Sequence, residues 1–276
     1  MKSTTKVWGL LIFLSLTTIV VGYHFFDRWG LLAGFFIAVT FNALVLTRSK
    51  NYLHNKLKAR EVRGQDAWNL NDRVAHWSRE VAIQPPKVFL IESASATAYS
   101  DGSPWGDSSI CLTTALLEKL TPEEVEAVLV HQLCHILALD TLSFGAASIV
   151  AHSLVSLADV LDLCWPLRYL PKFKRQKPFH HLISPLAWVL IRLNVRESTF
   201  FANDDLAAGI IKDRRVLAKA LWKLESLSQA VPLEIPDCSS HLFVVNPRGF
   251  REMNWFYLTH PRMSSRLQRM IGYEPI

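Results

Sequence analysis

Two long apolar runs without a charged residue stand near the start of the chain, at residues 7–26 and 29–47. Only Asp27 and Arg28 separate them. A helix rises about 1.5 Å per residue, so about 20 residues cross a hydrocarbon core about 30 Å thick. The pattern therefore predicts a tight antiparallel transmembrane hairpin over residues 1–50. A cleaved signal peptide explains the first run less well, because no small-residue cleavage site follows it and a second span comes at once.

A third apolar run, 141–158, and a shorter one of ten residues, 182–191, lie in the middle of the chain. Ten residues are too few to cross a bilayer alone. The connecting loop contains Arg168, Lys172, Lys174, Arg175 and Lys177. Two full crossings would place this basic loop outside, against the positive-inside rule. We therefore predict that 141–191 is a membrane-embedded hairpin. The sequence leaves open whether this hairpin is tilted, re-entrant or interfacial.

The remaining residues predict one polar domain, 51–276, which this embedded hairpin interrupts. Helical periodicity marks 68–81 and 203–230, with a break near Lys212 and Asp213. Short apolar segments between proline and glycine turns predict a few strands around residues 87–113. The expected fold class is α+β and mostly helical.

The segment that begins at Thr121 has the clearest helix signals in the polar domain. Thr121 suits the N-cap, Pro122 the first turn, and Glu124 completes a capping box. The helix continues through an apolar run that contains His131 and His135, which are four residues apart. The two imidazoles therefore lie on one helix face, as two ligands of a zinc ion would.

Composition favours a membrane protein over a nucleic-acid-binding one. Half of the 276 residues are apolar, the mean hydropathy is +0.17, and the formal charge is +6. The positive residues flank the apolar runs, which is typical of membrane orientation. Both flanks of the first hairpin are basic, so the polar domain should face the cytoplasm, and lipid is an expected partner. Four scattered cysteines without a CxxC pair fit a reducing compartment.

Histidine spacing alone is weak support for a metal site, because ten histidines in 276 residues make a chance HxxxH pair common. The surrounding sequence is more specific. In order along the chain stand "LTPEEVEAVLVHQLCHILALD", "DDLAAGIIKDRRVLAKAL" and "LTHPRMSSRLQRM", after two N-terminal spans. This arrangement resembles the HtpX family of membrane zinc metallopeptidases over nearly the whole chain. The resemblance implies a gluzincin-like metallopeptidase domain on a bacterial-type inner-membrane anchor, and an activity against membrane and misfolded proteins.

The first departure from the family pattern is Gln132, at the place where the family's HExxH helix has a glutamate. That glutamate is the general base that takes a proton from the zinc-bound water. An amide can hold a water molecule but cannot accept its proton. Removing a general base commonly costs about 10²–10⁴ in rate.

The second departure concerns the third metal ligand, which the family takes from an ExxxD pattern on a second helix. Aligning "DLAAGIIKDRRVLAKAL" with that helix makes Asp205 the aspartate and places Phe201 at the ligand position. A phenyl ring cannot bind zinc, and two histidines alone bind it poorly. A shifted helix could instead offer Asp205 or Glu197 as the ligand. A further departure is Thr97, where the family's substrate-pairing edge strand has an asparagine.

Three functions follow from these departures. The first is a non-catalytic family member that binds membrane or misfolded protein clients, or a partner complex, with zinc absent or weakly bound. The second is an active zinc endopeptidase with a relocated third ligand. The third is a structural subunit of a membrane assembly. Gln132 alone could be an engineered change, but its combination with a phenylalanine ligand position favours a natural pseudopeptidase. We adopt the first function as the expectation.

Overall fold

The N-terminal apolar region forms one helix pair, α1 (Ser3–Lys56), which is broken at Phe26 and Asp27. A computed structural model describes residues 3–64, 66–102, 106–165, 176–249 and 259–272. At the break, Asp27 has a φ of 49°, and the chain reverses. The two halves approach each other closely at Gly22 and Gly30, and Asn42 Nδ2 donates a hydrogen bond to Ser15 Oγ at 2.9 Å. The structure therefore has the antiparallel hairpin and the turn that the apolar pattern predicts.

The later elements follow in chain order. They are β1 (Arg60–Glu61), α2 (Leu70–Glu80), β2 (Lys87–Ile91), β3 (Ala98–Asp101), β4 (Ser109–Thr113), α3 (Thr114–Lys119), α4 (Pro122–Leu137), α5 (Asp140–Cys164), α6 (Pro178–Asn194), α7 (Glu197–Ile210), α8 (Arg214–Ala230), a 3-10 helix (Asp237–Leu242) and α9 (Met263–Ile271). Helices dominate, so the predicted mostly helical α+β class is confirmed. The predicted helix break near Lys212 and Asp213 lies between α7 and α8.

Helices α5 and α6 form a second hairpin, which packs against α1. The carboxylate of Asp162, near the end of α5, accepts hydrogen bonds from the backbone N–H groups of Phe179 and His180 at 2.9 Å each. It thereby caps the first turn of α6. Two segments in the described residues, Leu11–Ala43 of α1 and the whole of α5, are long and apolar enough to span a membrane. Of the basic loop, Lys177 is described, whereas Arg168, Lys172, Lys174 and Arg175 lie outside the described residues.

The polar domain contains a four-stranded mixed sheet in the order β1-β2-β4-β3. Strand β4 pairs in parallel with β2 and antiparallel with β3. Ile110 and Leu112 of β4 point into the main core, and the opposite face of the same strand presents Cys111. The sheet thus forms one wall of the core on which α4 lies.

Helix α4 is the central element of this core. Its capping box forms as the sequence predicts: Thr121 accepts a hydrogen bond from the backbone of Glu124, and the Glu124 carboxylate accepts one from the backbone of Thr121. Lys223 of α8 also donates to this carboxylate, at 2.8 Å. From Val125 to Ile136 almost every side chain is buried. The two histidines therefore stand on a rigid, fully packed helix.

The close approach of the two halves of α1 gives a test of the hairpin. A Cβ atom added to Gly30 would overlap the backbone carbonyl of Gly22, whereas one added to Gly9 meets nothing within 4 Å. We expect Gly30→Val to reduce the free energy of unfolding by about 1–3 kcal/mol, the usual cost of overpacking. Gly9→Val is the matched control, with the same change in helix propensity. Thermal unfolding of both variants in detergent micelles would check this, and equal melting temperatures would contradict the hairpin packing.

Candidate functional site

His131 and His135 lie side by side on the inner face of α4. Their ring centroids are 5.0 Å apart and their planes are nearly perpendicular. Both rings are buried. His135 Nδ1 is 3.4 Å from a carboxylate oxygen of Asp140, the residue that starts α5, but the two atoms do not meet the geometry of a hydrogen bond. The structure thus brings the two predicted histidines together as the sequence spacing requires.

Helix α7 packs across α4 and presents a stripe of buried residues to it. The stripe consists of Phe200, Asn203, Asp204, Ala207 and Ala208. These positions follow the i, i+3, i+4, i+7, i+8 spacing of a buried helix face. Asp204 therefore faces His131, and four residues earlier Phe200 faces His135. The sequence alignment with Asp205 and Phe201 is one residue out of register, and the burial period is the signal that would have corrected it.

Asp205 and Phe201, the two residues that the sequence alignment selected, point away from the histidines. Arg269 Nη2 donates to a carboxylate oxygen of Asp205 at 2.7 Å, and both side chains are about half exposed. The same guanidinium lies over the Phe201 ring, 5.3 Å from its centroid. Glu197 is also half exposed and lies 3.8 Å from Arg192. Neither Asp205 nor Glu197 contacts the histidines, so each would need a rearrangement of α7 to reach a metal there.

Asp204 is held by a fully buried ion pair with Arg266 of α9. The guanidinium donates from Nε at 2.7 Å and from Nη2 at 2.6 Å to the two carboxylate oxygens. Its third contact is from Nη1 to the backbone carbonyl of Val244 at 2.9 Å. Burial by itself raises the pKa of Asp204, but the guanidinium and hydrogen bonds from Arg266 and His131 hold that pKa well below its usual range. The carboxylate is therefore ionised and accepts hydrogen bonds only.

His131 is the second partner of this carboxylate, with its Nε2 atom 2.9 Å from an Asp204 oxygen. Burial lowers the pKa of His131 to about 4, although Asp204 acts in the opposite direction. The ring is therefore neutral near pH 7. Asn203 adds a hydrogen bond from its side-chain amide to the backbone carbonyl of His131 at 3.1 Å. Sequence reasoning missed Asn203 and Asp204 as partners of His131.

Phe200 lies among aromatic rings and histidines on the face of α7 that meets α4, one residue before Phe201, the residue at the third-ligand position that the resemblance implies. Its centroid is 6.2 Å from that of His135, 5.5 Å from Phe144 and 4.9 Å from His260. His260 Nε2 donates to the backbone carbonyl of Phe243, and His241 Nε2 donates to that of Phe144, both at 2.9 Å. We call these residues the aromatic–histidine cluster: Phe144, Phe200, His135, His241 and His260. They lie far apart along the chain, so no sequence pattern predicted that they would meet.

Gln132 of α4 and Thr97, the residue before β3, are both buried. The amide atoms of Gln132 and the hydroxyl of Thr97 have no hydrogen-bond partner among the residues that the structure describes. The backbone N–H and C=O of Thr97 both bond to Thr113 of the neighbouring strand segment. On the outer side of β3, the Ala98 carbonyl accepts a hydrogen bond from the N–H of Val244 at 2.9 Å. The chain itself thus occupies part of the edge that was predicted to pair with substrate.

The residues at this site do not fit the zinc ion that the resemblance implies. His131 Nε2 lies 2.9 Å from a carboxylate oxygen of Asp204 on α7. Arg266 Nη2 is 3.4 Å from the same nitrogen. The Asp204 carboxylate near this nitrogen is already neutralised by its ion pair with Arg266. Phe200 supplies a ring in place of a ligand. Across the described ranges, no three His, Cys, Asp or Glu side chains are grouped so that they could share an ion.

The corrected register predicts different costs for the two neighbouring phenylalanines. Phe200 is fully buried, so Phe200→Ala should reduce the free energy of unfolding by about 3–5 kcal/mol. Phe201→Ala removes mainly the contact with Arg269 and should cost about 1 kcal/mol or less. Chemical unfolding of the two variants in detergent micelles would compare them. A larger loss for Phe201→Ala would contradict the observed register.

Protein stability should decrease in mild acid because buried histidines are neutral in the folded protein. Burial lowers the pKa of His241 to about 4 and that of His260 to about 3. An unfolded histidine titrates near about 6.5, so the unfolded chain binds protons first and is favoured as the pH falls below that value. Each histidine adds a slope of at most about 1.4 kcal/mol per pH unit.

His241→Gln isolates one of these protons, because the glutamine amide can still donate to the Phe144 carbonyl. We expect melting temperatures of the variant to fall less steeply between about pH 7 and about pH 5 than those of the natural protein. Identical pH dependence in the two proteins would show that His241 is not buried in its neutral form.

Comparison with known proteins gives a consistent result. The sequence profile of Peptidase family M48 matches residues 65–274, more than half of the chain. The chain is 26% identical over 274 residues to the "Protease HtpX homolog" of Pelotomaculum thermopropionicum, covering 96% of this chain and 97% of that protein. It is 28% identical over 270 residues to the one of Pyrococcus abyssi, covering 95% and 92%.

A solved structure supports the fold. The crystal structure of S. mikatae Ste24p superposes with a TM-score of 0.50 at 16% sequence identity, covering 95% of this chain. This chain spans 62% of the length of that protein. The resemblance inferred from the histidine helix and its flanking segments is therefore confirmed. The chain belongs to Peptidase family M48, as a member of its HtpX family of membrane proteins.

Proposed function

We propose that this chain is a non-catalytic HtpX-family membrane protein, which binds polypeptide segments or a membrane partner instead of cutting peptides. The observation that supports it most strongly is Phe200, a ring packed against His135 and His260 at the position of the third zinc ligand. A catalytic zinc site needs three protein ligands and an open position for water. Here the space of the third ligand is filled with apolar atoms.

Gln132 gives a second, independent reason. Hydrolysis by a zinc-bound water requires a neighbouring base, and the Gln132 amide has no basic lone pair at neutral pH. It is nevertheless a polar group that is 1% exposed and has no partner in the described part of the chain. The loss of the ligand and the loss of the base affect two different helices, α4 and α7, and each alone would suppress peptidase chemistry.

Membrane embedding is part of the proposal. Large apolar side chains on the outer faces of α1, α5 and α6 are exposed, including Phe26, Trp29, Leu163 and Leu182. Such contiguous apolar surfaces belong in lipid. The basic flanks of α1 favour a location in a bacterial-type inner membrane with the polar domain in the cytoplasm. The chain matches 97% and 92% of the length of the two HtpX homologues above, so surfaces that engage a polypeptide can persist without the catalytic groups.

An active zinc endopeptidase is the second candidate, and the names of the relatives favour it. In this structure the carboxylate closest to a predicted ligand is Asp204, at 2.9 Å from His131 Nε2. To bind a metal it would have to give up part of its ion pair with Arg266. A structural subunit of a membrane assembly is the third candidate, with Asp204 and Phe200 in purely structural roles.

The three candidates differ in metal content, cleavage and binding. The full chain would be purified in detergent without chelator, its zinc measured by mass spectrometry, and its cleavage of casein followed with and without added zinc. Binding to a fluorescent, permanently unfolded casein fragment would be measured by anisotropy. We expect substoichiometric zinc, no chelator-sensitive cleavage and saturable binding.

Each other outcome selects a different function. Stoichiometric zinc together with chelator-sensitive cleavage would overturn the proposal in favour of the endopeptidase. If so, Asp204→Asn should remove the zinc, whereas Asp205→Asn should leave it bound. No peptide binding, combined with stable co-purification of one membrane protein, would favour the structural subunit.

A further inference from the structure

We propose that a cavity beside the aromatic–histidine cluster binds a basic side chain of a polypeptide segment, with Glu225 as the counter-charge. The residues that line the cavity come from α8, from the start of α9 and from the segments that flank these helices. The inference rests on the proposed binding function and adds a chemical class of client to it, namely unfolded segments that contain lysine or arginine.

The cavity has the size and the walls of a side-chain site. Its volume is about 430 Å³, and ligand sites commonly measure about 300–1,000 Å³. Pro261 and Met263 contribute apolar wall, and Glu225 contributes a carboxylate. His260 lines the cavity as well, and its ring centroid is 4.9 Å from that of Phe200. The cavity therefore shares a wall with the aromatic–histidine cluster.

Glu225 gives the cavity its chemical character. Its side chain is half-buried, and its carboxylate makes no hydrogen bond or ion pair within the described ranges. Burial raises the pKa of Glu225, whereas the charge of Arg266 lowers it. Arg266 does not pair with Glu225, because its nitrogens already donate to Asp204 and to the Val244 carbonyl. The Glu225 carboxylate is therefore partly desolvated without a counter-ion, a cost that a cationic ligand would offset.

Arg262 lines the same cavity but does not supply that counter-ion. No ion pair joins it to Glu225 in the part of the chain that the structure describes, and its side chain is exposed. Water and salt screen an exposed charge much more than a half-buried one. Glu225 therefore dominates the electrostatics inside the cavity.

A lysine or arginine side chain is complementary to these walls, because it combines an apolar stem with a cationic end. The stem would pack on Pro261 and Met263, and the charged end would pair with Glu225. A divalent metal fits less well, because Glu225 is the only carboxylate among the described lining residues and Ca²⁺ takes about six to eight oxygen ligands. A lipid ammonium group also fits less well, because the exposed apolar helices α1, α5 and α6 contribute none of the described lining residues.

The test uses the anisotropy assay with a casein fragment whose basic residues are all lysines, before and after acetylation of those lysines. Acetylation removes the positive charge and leaves the stem. Even an exposed ion pair can change affinity up to about fivefold, so we expect acetylation to weaken binding to the natural protein at least about fivefold. Glu225→Gln should abolish the preference for the unmodified fragment, and Glu225→Asp should keep part of it.

Glu118→Gln is the matched control, because Glu118 is exposed on α3 and outside the lining of the cavity. This variant loses the same charge and should keep the preference. Equal binding of both fragments to the natural protein would overturn the inference and leave the proposed binding function intact. An equal loss of preference in Glu118→Gln and Glu225→Gln would also overturn it. Binding of neither fragment would overturn the inference and the binding function together.

A measurement on the natural protein covers the case in which the Glu225 variants unfold. A water-soluble carbodiimide activates a carboxylate, a neighbouring lysine amine displaces the activated group to form an amide, and the carbodiimide leaves as a urea. After this treatment of the complex with the unmodified fragment, peptide mass spectrometry should locate an amide at Glu225. Cross-links at other carboxylates without one at Glu225 would overturn the inference.

Discussion

The buried ion pair between Arg266 and Asp204 determines the geometry of the whole site. Both groups are 1% exposed, and the guanidinium bonds to both carboxylate oxygens and to the Val244 carbonyl. Removing one partner of such a pair leaves an uncompensated buried charge, which typically costs about 3–5 kcal/mol. The pair therefore fixes which face of α7 meets α4. Once Asp204 faces inward, helical geometry also turns Phe200 inward, one turn earlier.

This fixed register explains why the site is occupied by protein atoms. The ring of Phe200 contacts those of Phe144 and His260, so the space beside the two histidines is filled by packed side chains. A water-filled metal site would need a vacancy in the same place. Packed interiors leave few voids larger than a water molecule. A single substitution at Phe200 would therefore leave a cavity or a buried charge until its neighbours also rearranged.

The sequence predicted those features that depend on local order. The cap at Thr121, the turn at Asp27 and the shared face of His131 and His135 follow from short-range rules of helix geometry and capping. The sequence alignment chose Phe201 and Asp205, whereas the structure places Phe200 and Asp204 toward α4. The helix contains two adjacent phenylalanines and two adjacent aspartates, and both choices give the same four-residue spacing. Only the burial period of the helix, or the distant Arg266, distinguishes them.

Other parts of the site depend on contacts between residues far apart in sequence. His241 reaches the Phe144 carbonyl across 97 positions, and Arg266 reaches Asp204 across 62. No periodicity connects such pairs, so the aromatic–histidine cluster was not predictable from the pattern. The same holds for Val244, which pairs with the edge of β3 at Ala98.

The core around α4 is held together by apolar packing and does not depend on a metal ion. In small metal-dependent domains the free energy of metal binding is largely the free energy of folding, and removal of the ion unfolds the chain. Here α4 is buried along its length between the sheet and α8, with a cluster of apolar residues around Leu129 and Leu133. Such a core is stable without an ion, and the network at His131 joins α4 to α7 and α9. A chain built in this way would keep its long apolar helices and its polar domain folded without a bound ion, as the proposed binding function requires.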